Sequence, residues 1–588
     1  MPGEDSFVFK TLRPWPNERL KKAAIVGHTT TTTSRLWFRT GDNGKFTILL
    51  YESSGKKNEP IFNGLRAIPY RLDSLPQKVI RHDFVIEEYK NDTTYVWDTW
   101  DPPRKIELKP GTLYAYALYS DKEKRIILGH DRVYSFRTMP EGNEPYSFAL
   151  YSCHMPYSYT MFKSTKLVNE EMWDSFKGAL ERHREKDLRF VIGGGDQVYT
   201  DGVESLSIWA YLNKVMRKEK ETGKILPTQE DMVSWYRDIY RGYWGFKSLQ
   251  NVFSDFPLYM MWDDHELGDG CGSYYLNKGR KKELNRLLPG INNKKKHKSL
   301  SYNDGLTLYD RMIKAAKQVY LEYQHSHNPK TPNGQYDYGF YLGDHSAFYF
   351  LDGRGYRDVQ RDDEYRILGK DQLDRFKRWL NHKDTKSKKC VFVLAAVPVF
   401  HIRSIIANKT VTDTFTRELS DDLRDSWEHD IHDKERSEFT ELLFQAAGKG
   451  QQVSILSGDV HMSAAFKLIN DAGHVIYQLT SSAITYNTPL ISGWLFGQFG
   501  TLPEEGETKE GYKFERRALY LDSNFSIIKV NPNNGQVTFQ LYGKQSIQPP
   551  DKTLLKKNQP YVGMADIPIT HSIARIDLDF TKVEKSVI

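Results

Sequence analysis

Several stretches of the chain end in side chains that could bind cations or move protons. Cys153 and His154 close the run 148–154, and Asp196 and Tyr199 close 190–199. Asp264 and His265 lie at the end of 258–266, Asp352 and Arg354 at the end of 347–354, and Asp459 and His461 at the end of 453–461. Each run is apolar up to the point where these residues begin. The sixth run, 391–398, carries no such residue. A thiol or a phenol must lose its proton to bind a cation, so Cys153 and Tyr199 suit only a strongly polarising ion. Asp196 and Tyr199 stand three apart, close enough on one loop to share an ion. Gly193-Gly194-Gly195 lacks the Lys-Ser/Thr that a phosphate loop needs, and is read as a tight turn.

The elements that must position these residues follow from the same runs. Near-continuous apolar segments suit strands buried on both faces. Amphipathic helices lie between several of them: Phe439, Leu442, Leu443 and Ala446 make one stripe, Leu373, Phe376 and Leu380 another. Strands alternating with helices predict an α/β layered domain. The carboxyl ends of such strands share one edge of the sheet, where ligands bind. Segments far apart in sequence would therefore meet there.

Residues 1 to about 140 read differently. Leu36–Thr40, Phe46–Glu52, Phe84–Tyr89, Thr112–Tyr119 and Val133–Arg137 are short runs between turn residues, which predicts a small all-β sandwich. Met139–Asn143 is read as the linker, Gly493–Glu515 as a loop, and Lys278–Lys298 as a solvated basic insertion. A hairpin is predicted from Ile527–Val530 and Val537–Tyr542 about Pro532-Asn533-Asn534-Gly535, with a late strand near Ala574–Leu578.

Composition narrows the function classes. With 36 Tyr and 30 Phe among 588 residues the chain can build large cores, which excludes wholesale disorder. A net charge of +7 over this length is too mild to argue for nucleic acid. Three cysteines make no disulfide framework, and Cys271 and Cys390 are read as small buried hydrophobes. No signal-peptide core is visible. The longest apolar stretch, Cys390–Phe400, is about half of the ~20 residues a membrane span requires. The expectation is a soluble chain that starts in the cytoplasm. The sequons at Asn91, Asn408 and Asn524 carry no weight without secretion.

In order, GDQVY (195–199), DDHE (263–266) and GDVH (458–461) resemble the blocks of the binuclear metallophosphoesterases. The chain is more closely similar to the PhoD-like (alkaline phosphatase D) family, through Ser152-Cys153, the WDDHE of Trp262–Glu266, the LDGRGYR of Leu351–Arg357 and the QLTSSAIT of Gln478–Thr485. The resemblance implies a metallophosphoesterase-like β-sandwich flanked by helices over 146–588, with insertions at about 203–250, 270–300 and 490–515, the first two walling the pocket. A fibronectin-III-like sandwich over 1–140 would precede it. It implies a first metal on Cys153, Asp196, Tyr199 and His461, with Asp196 bridging to a second on Asp264 and Asp459. Thiolate and phenolate favour Fe3+ in the first site; carboxylates alone favour Ca2+, or Mg2+ or Mn2+, in the second.

The activity so implied is hydrolysis of a small phosphate ester, monoester or diester, by a metal-bridging hydroxide. His265 would protonate the leaving oxygen and Arg354 would neutralise the phosphate. Asp352 would orient Arg354 or add a metal ligand, and His154 is a further candidate for substrate contact. His401, His429 and His432 are read as hydrogen-bonded or solvated. The competing readings are a phospholipase D-like diesterase acting on lipid headgroups and a binding protein on a decayed phosphoesterase fold.

Overall fold

The computed structural model describes residues 15–54, 78–87, 92–101, 105–159, 165–184, 187–202, 207–208, 226–272, 302–357, 365–401, 425–486, 501–543 and 572–583. The six apolar runs form its centre. Tyr146–Tyr151, Leu188–Gly194 and Leu258–Met261 lie parallel in a six-stranded sheet. The antiparallel hairpin Asn524–Asn531 and Gln536–Gly543, and then Ala574–Leu578, extend that sheet. Ser346–Phe350, Cys390–Leu394, Gln452–Ser457 and Val475–Thr480 form the parallel part of an eight-stranded sheet.

Successive side chains on a strand point to opposite faces, so each run supplies two cores at once. Phe148, Leu150, Phe190 and Ile192 face Phe348, Phe392, Leu394 and Leu456 in the core between the sheets. Rings at its centre pack edge to face: Phe148 lies 5.3 Å from Phe348 and 5.2 Å from Phe392. The alternate residues Ala149, Tyr151, Val191 and Met260 turn outward, under the helices Glu171–Arg184, Gln229–Tyr243, Lys247–Asp255 and Tyr302–Tyr323. Across the other sheet, Tyr349, Val391, Val393 and Ile455 pack beneath Gly369–Asn381 and Asp433–Gly448. The result is a β-sandwich flanked by helices, as the sequence predicts.

The first eight strands form two antiparallel sheets whose inner faces share a core that includes Leu36, Phe38, Ile48, Leu50, Tyr116 and Phe136. Ala23–Thr29, Thr94–Asp98 and Arg125–Leu128 belong to these sheets although the sequence reading passed over them. One outer face, through Ala23, Ile25 and Trp37, enters the large core beneath the helices. The Trp37 indole N–H donates to the Glu322 carbonyl across 2.7 Å.

One expectation changes. Gly493–Glu515, read as a loop, includes the strand Glu505–Glu507 and the start of Lys513–Tyr520 at the edge of the eight-stranded sheet; its first residues lie outside those described. The stretch 203–250, read as an insertion, carries helices whose Trp235, Tyr236, Tyr240 and Leu249 are core residues. The basic stretch Lys278–Lys298 lies outside the described residues. Asn524 is buried and donates to Ser482 O, which leaves no room for a glycan. No helix of the described residues is long and apolar enough to cross a membrane.

Candidate metal centre

At the carboxyl edge of both sheets the chain leaves each strand in a conformation that side chains seldom adopt. Cys153, Asp196, Asp459 and His461 all have positive φ, between 54° and 62°. Left-handed backbone costs a residue with a Cβ about 1–3 kcal/mol and persists where the surroundings over-determine it. Here the loops tie one another: Cys153 N–H donates to Gly195 O at 3.2 Å and His154 N–H to Asp196 O at 2.8 Å. Gly195, at φ +108°, sits where a Cβ would press on Asp263; a Cβ on Gly458 would meet Ser152 at 2.5 Å. These two glycines let the strand ends close on each other.

Two groups of donors result, with Asp196 common to both. Ligand atoms of Cys153, Asp196 and His461 lie within 4.8 Å of one another. The Tyr199 hydroxyl joins them, donating to Asp196 Oδ2 at 3.2 Å and lying 3.0 Å from His461 Nε2. Cys153 Sγ is 3.3 Å from Asp196 Oδ2. In the second group, carboxylate oxygens of Asp196, Asp263, Asp264 and Asp459 lie within 4.8 Å of one another. Asp196 Oδ1, Asp263 Oδ2 and Asp264 Oδ1 are buried and accept no hydrogen bond. Buried carboxylate oxygens without partners are costly, and a cation among them removes that cost. The donor set therefore fits metal ions.

The electrostatics agree. Burial, and then the repulsion of neighbouring carboxylates, pushes Asp196 and Asp459 well above the usual carboxylate range. Burial raises Asp263 to about 6 although Arg354 pulls it down. Burial and the nearby Asp196 raise the Cys153 thiol and the Tyr199 phenol well above their ordinary values. His461 is depressed to about 3, mainly by burial, so its imidazole is neutral and able to bind a cation. The Tyr486 ring stacks on it at 3.6 Å.

His265 differs. Burial opposes its charge, but Asp201, Asp264 and Asp196 outweigh that and hold its pKa well above the ordinary value. Its ring lies on Tyr199, with centroids 4.0 Å apart. Behind it, the Glu266 carboxylate binds the two loops together. It accepts the backbone N–H groups of Asp196, Gln197 and Asp263 and the Gln324 side-chain amide.

Two expected roles are corrected, and a third is narrowed to one of its alternatives. Arg354 does not face an open site. Its guanidinium is 0% exposed, paired with Asp263 and, at 2.6 and 2.5 Å, with Asp425, and it lies 3.6 Å from Asp264. It neutralises the carboxylates from behind. Asp352 accepts from Trp262 Nε1 at 2.8 Å and from the backbone N–H groups of Arg354 and Gly355, so it fixes the turn that carries Arg354 and belongs to neither donor group. His154 is buried, with Nδ1 accepting from Trp173 Nε1 at 3.0 Å and Nε2 2.7 Å from Tyr243 O, which leaves no nitrogen for substrate. The structure brings Cys153, Asp196, Tyr199, Asp264, His265, Asp459 and His461 to one place. It adds Asp201, Asp425 and Tyr486, which sequence reasoning missed, and gives parts to Asp263 and Glu266, which stood in the WDDHE motif without an assigned role.

A family description, PhoD-like phosphatase, matches residues 168–492, more than half of the chain. An uncharacterized protein of Saccharomyces cerevisiae is 24% identical over 368 residues, which cover 53% of this chain and 49% of the relative. The chain thus spans about half the length of the curated relative it matches. Among solved structures, that of PhoD superposes with a TM-score of 0.55 at 14% identity, covering 90% of this chain and 87% of the other. A purple acid phosphatase from yellow lupin (Lupinus luteus) gives 0.46 at 11% identity, covering 91% and 73%.

Proposed function

The chain belongs to the PhoD-like phosphatase family, and on that premise we propose that it is a metal-dependent hydrolase of small phosphoric monoesters or diesters. The observation that carries this reading is the pair of donor groups joined through Asp196, with Asp196 Oδ1 and Asp263 Oδ2 buried and left unpartnered. A decayed scaffold would have little reason to keep buried like charges in contact.

Cys153, Asp196, Tyr199 and His461 would hold the first ion. Two of these donors must lose protons that burial makes hard to lose, which favours Fe3+. Asp196, Asp263, Asp264 and Asp459 offer only oxygens, which favours Ca2+, Mg2+ or Mn2+. Bound there, the pair would supply Lewis-acid charge for the phosphate and a nucleophile drawn from water near neutral pH. The chain's own residues do the rest. Arg354 offsets the excess negative charge around Asp263 and Asp264, and Glu266 fixes both ligand loops. His265, 18% exposed and beside Asp264, offers its proton to the leaving oxygen.

The test uses protein purified without chelator. Elemental analysis is expected to find iron and a second divalent ion, and EDTA to abolish hydrolysis of nitrophenyl phosphate mono- and diesters. Asp196→Asn, which removes the shared carboxylate, is expected to lower kcat at least about 10²-fold while the chain stays folded. Metal-replete protein that cleaves neither ester would overturn the reading.

A further inference from the structure

Asp201 stands two residues beyond Tyr199, on the loop that leaves the strand Leu188–Gly194. In the fold it reaches across to the other loop of the site. Its Oδ1 lies 2.8 Å from His265 Nδ1, and its Oδ2 accepts the backbone N–H of Asp269. The side chain is 5% exposed, so the carboxylate is held from both ends. Beside it, Thr200 donates to the His265 carbonyl from its N–H at 3.0 Å and from its hydroxyl at 2.9 Å. The imidazole rests on Tyr199 with 30° between the rings. Stacking fixes the plane of the ring, and Asp201 fixes which edge points where.

That choice of edge matters because the hydrogen bond at one imidazole nitrogen decides the role of the other. With Nδ1–H donating to Asp201, Nε2 is the nitrogen left for the site, where it makes no hydrogen bond to a described residue. A ring nitrogen of His265 lies within 4.8 Å of carboxylate oxygens of both Asp196 and Asp264, the residues at the heart of the donor groups.

The geometry points to Asp201 as a positioning residue for ester hydrolysis, one that presents the Nε2 proton of His265 to the oxygen leaving phosphorus. This rests on the phosphoester-hydrolase reading of the site. In the step, a water-derived oxygen bonds to phosphorus and the bond from phosphorus to the alcohol oxygen breaks. The electron pair stays on the alcohol oxygen, which takes the Nε2 proton and leaves as neutral alcohol. The proton lost by the water restores His265 through solvent.

A latch that only joined two loops would slow every substrate alike. A residue that aims a proton matters only where the leaving oxygen needs one. The experiment compares 2,4-dinitrophenyl and phenyl phosphate esters, since dinitrophenolate leaves without help and phenolate does not. Asp201→Ala is expected to lower kcat on the phenyl ester about 10²-fold and on the dinitrophenyl ester less than about 3-fold, with KM and metal content unchanged. Asp201→Asn keeps an acceptor for Nδ1–H and is expected to recover most of the phenyl rate. Asp201→Ser, which can still accept from Asp269 N–H but cannot reach Nδ1, is expected to show the same split as alanine should that variant not fold. In a His265→Gln background, Asp201→Ala is expected to cost nothing further on the phenyl ester. Equal losses on both esters, or an unchanged phenyl rate, would overturn the role of Asp201 alone. Wild-type protein that cleaves neither ester would overturn the functional reading and this inference with it.

Discussion

Cys153 and Tyr199 decide which ion the first donor group can hold. Both protons are made harder to remove by burial and by the negative charge of Asp196 close by. A weakly polarising cation would leave them in place, and the group would then offer only Asp196 and His461. Cys153→Ser separates ligation from packing. Serine fills nearly the same space and keeps hydrogen bonds to Ser482 and Asp196, yet its hydroxyl is a far weaker acid than a thiol. Elemental analysis of that variant is expected to find about one metal ion fewer per chain, with stability of the metal-free protein changed by about 1 kcal/mol or less. Retention of both ions would show that the thiol is no ligand. Arg354 teaches the complementary lesson. The family resemblance implied a phosphate binder, but the fold pairs it with Asp263 and Asp425. Position at a strand end was legible in the sequence. The direction of a long side chain after a turn was not.

The strands were legible as elements because burial on both faces demands unbroken apolar runs. The hairpin Asn524–Asn531 and Gln536–Gly543 and the strand Ala574–Leu578 appear where turn residues and alternation placed them. Ala23–Thr29 escaped notice because its outer residues are covered by helices from the far end of the chain, so no polar alternation marks it. The loops that carry the ligands were legible only in part, since what fixes them is a single acid. Glu266 sits in the short 3-10 turn Asp264–Glu266 and accepts from three backbone N–H groups on two loops. Glutamine at this position would keep one acceptor oxygen and turn an NH2 toward backbone donors. Buried donors left without acceptors cost about 1–3 kcal/mol each, so Glu266→Gln is expected to destabilise the fold by about 3 kcal/mol. Urea unfolding followed by tryptophan fluorescence measures this; a loss below about 1 kcal/mol would show that the loops hold without the carboxylate.

At the scale of the molecule, the two central sheets converge on an edge crowded with negative charge, and the N-terminal strands pack on the helices that flank them. Buried ion pairs hold the periphery together. Asp92 accepts from Arg39, Arg241 and Tyr323, and Arg237 pairs with Glu322 at 2.7 Å, joining the first strands to the helices. The metal centre is less evenly balanced: among the described residues Arg354 faces Asp263, Asp264 and Asp425, and Arg357 shares Asp425. The metal-free protein must therefore depend on pH in a definite sense. Asp196 and Asp459 stand well above their ordinary value in the fold, and Asp263 stands at about 6. Between the unfolded carboxylate value of about 4 and these raised values, the folded chain binds more protons than the unfolded one, and stability falls as pH rises. The contribution of these carboxylates, read as the Tm of the chelated protein relative to a chelated Asp196→Asn variant across a buffer series, is thus expected to decline from about pH 4 through pH 6 and beyond; buried neutral histidines such as His154, His327 and His461, each held at about 3, act in the opposite sense and cancel in that difference. Metal binds only the folded arrangement and only the ionised carboxylates, so reloading is expected to raise Tm most at the higher pH values and to flatten the slope. A difference between the two chelated proteins that stays flat from pH 5 to 7 would mean that the carboxylates are balanced by charge within the chain, and that the edge of the sandwich needs no cation to hold its shape.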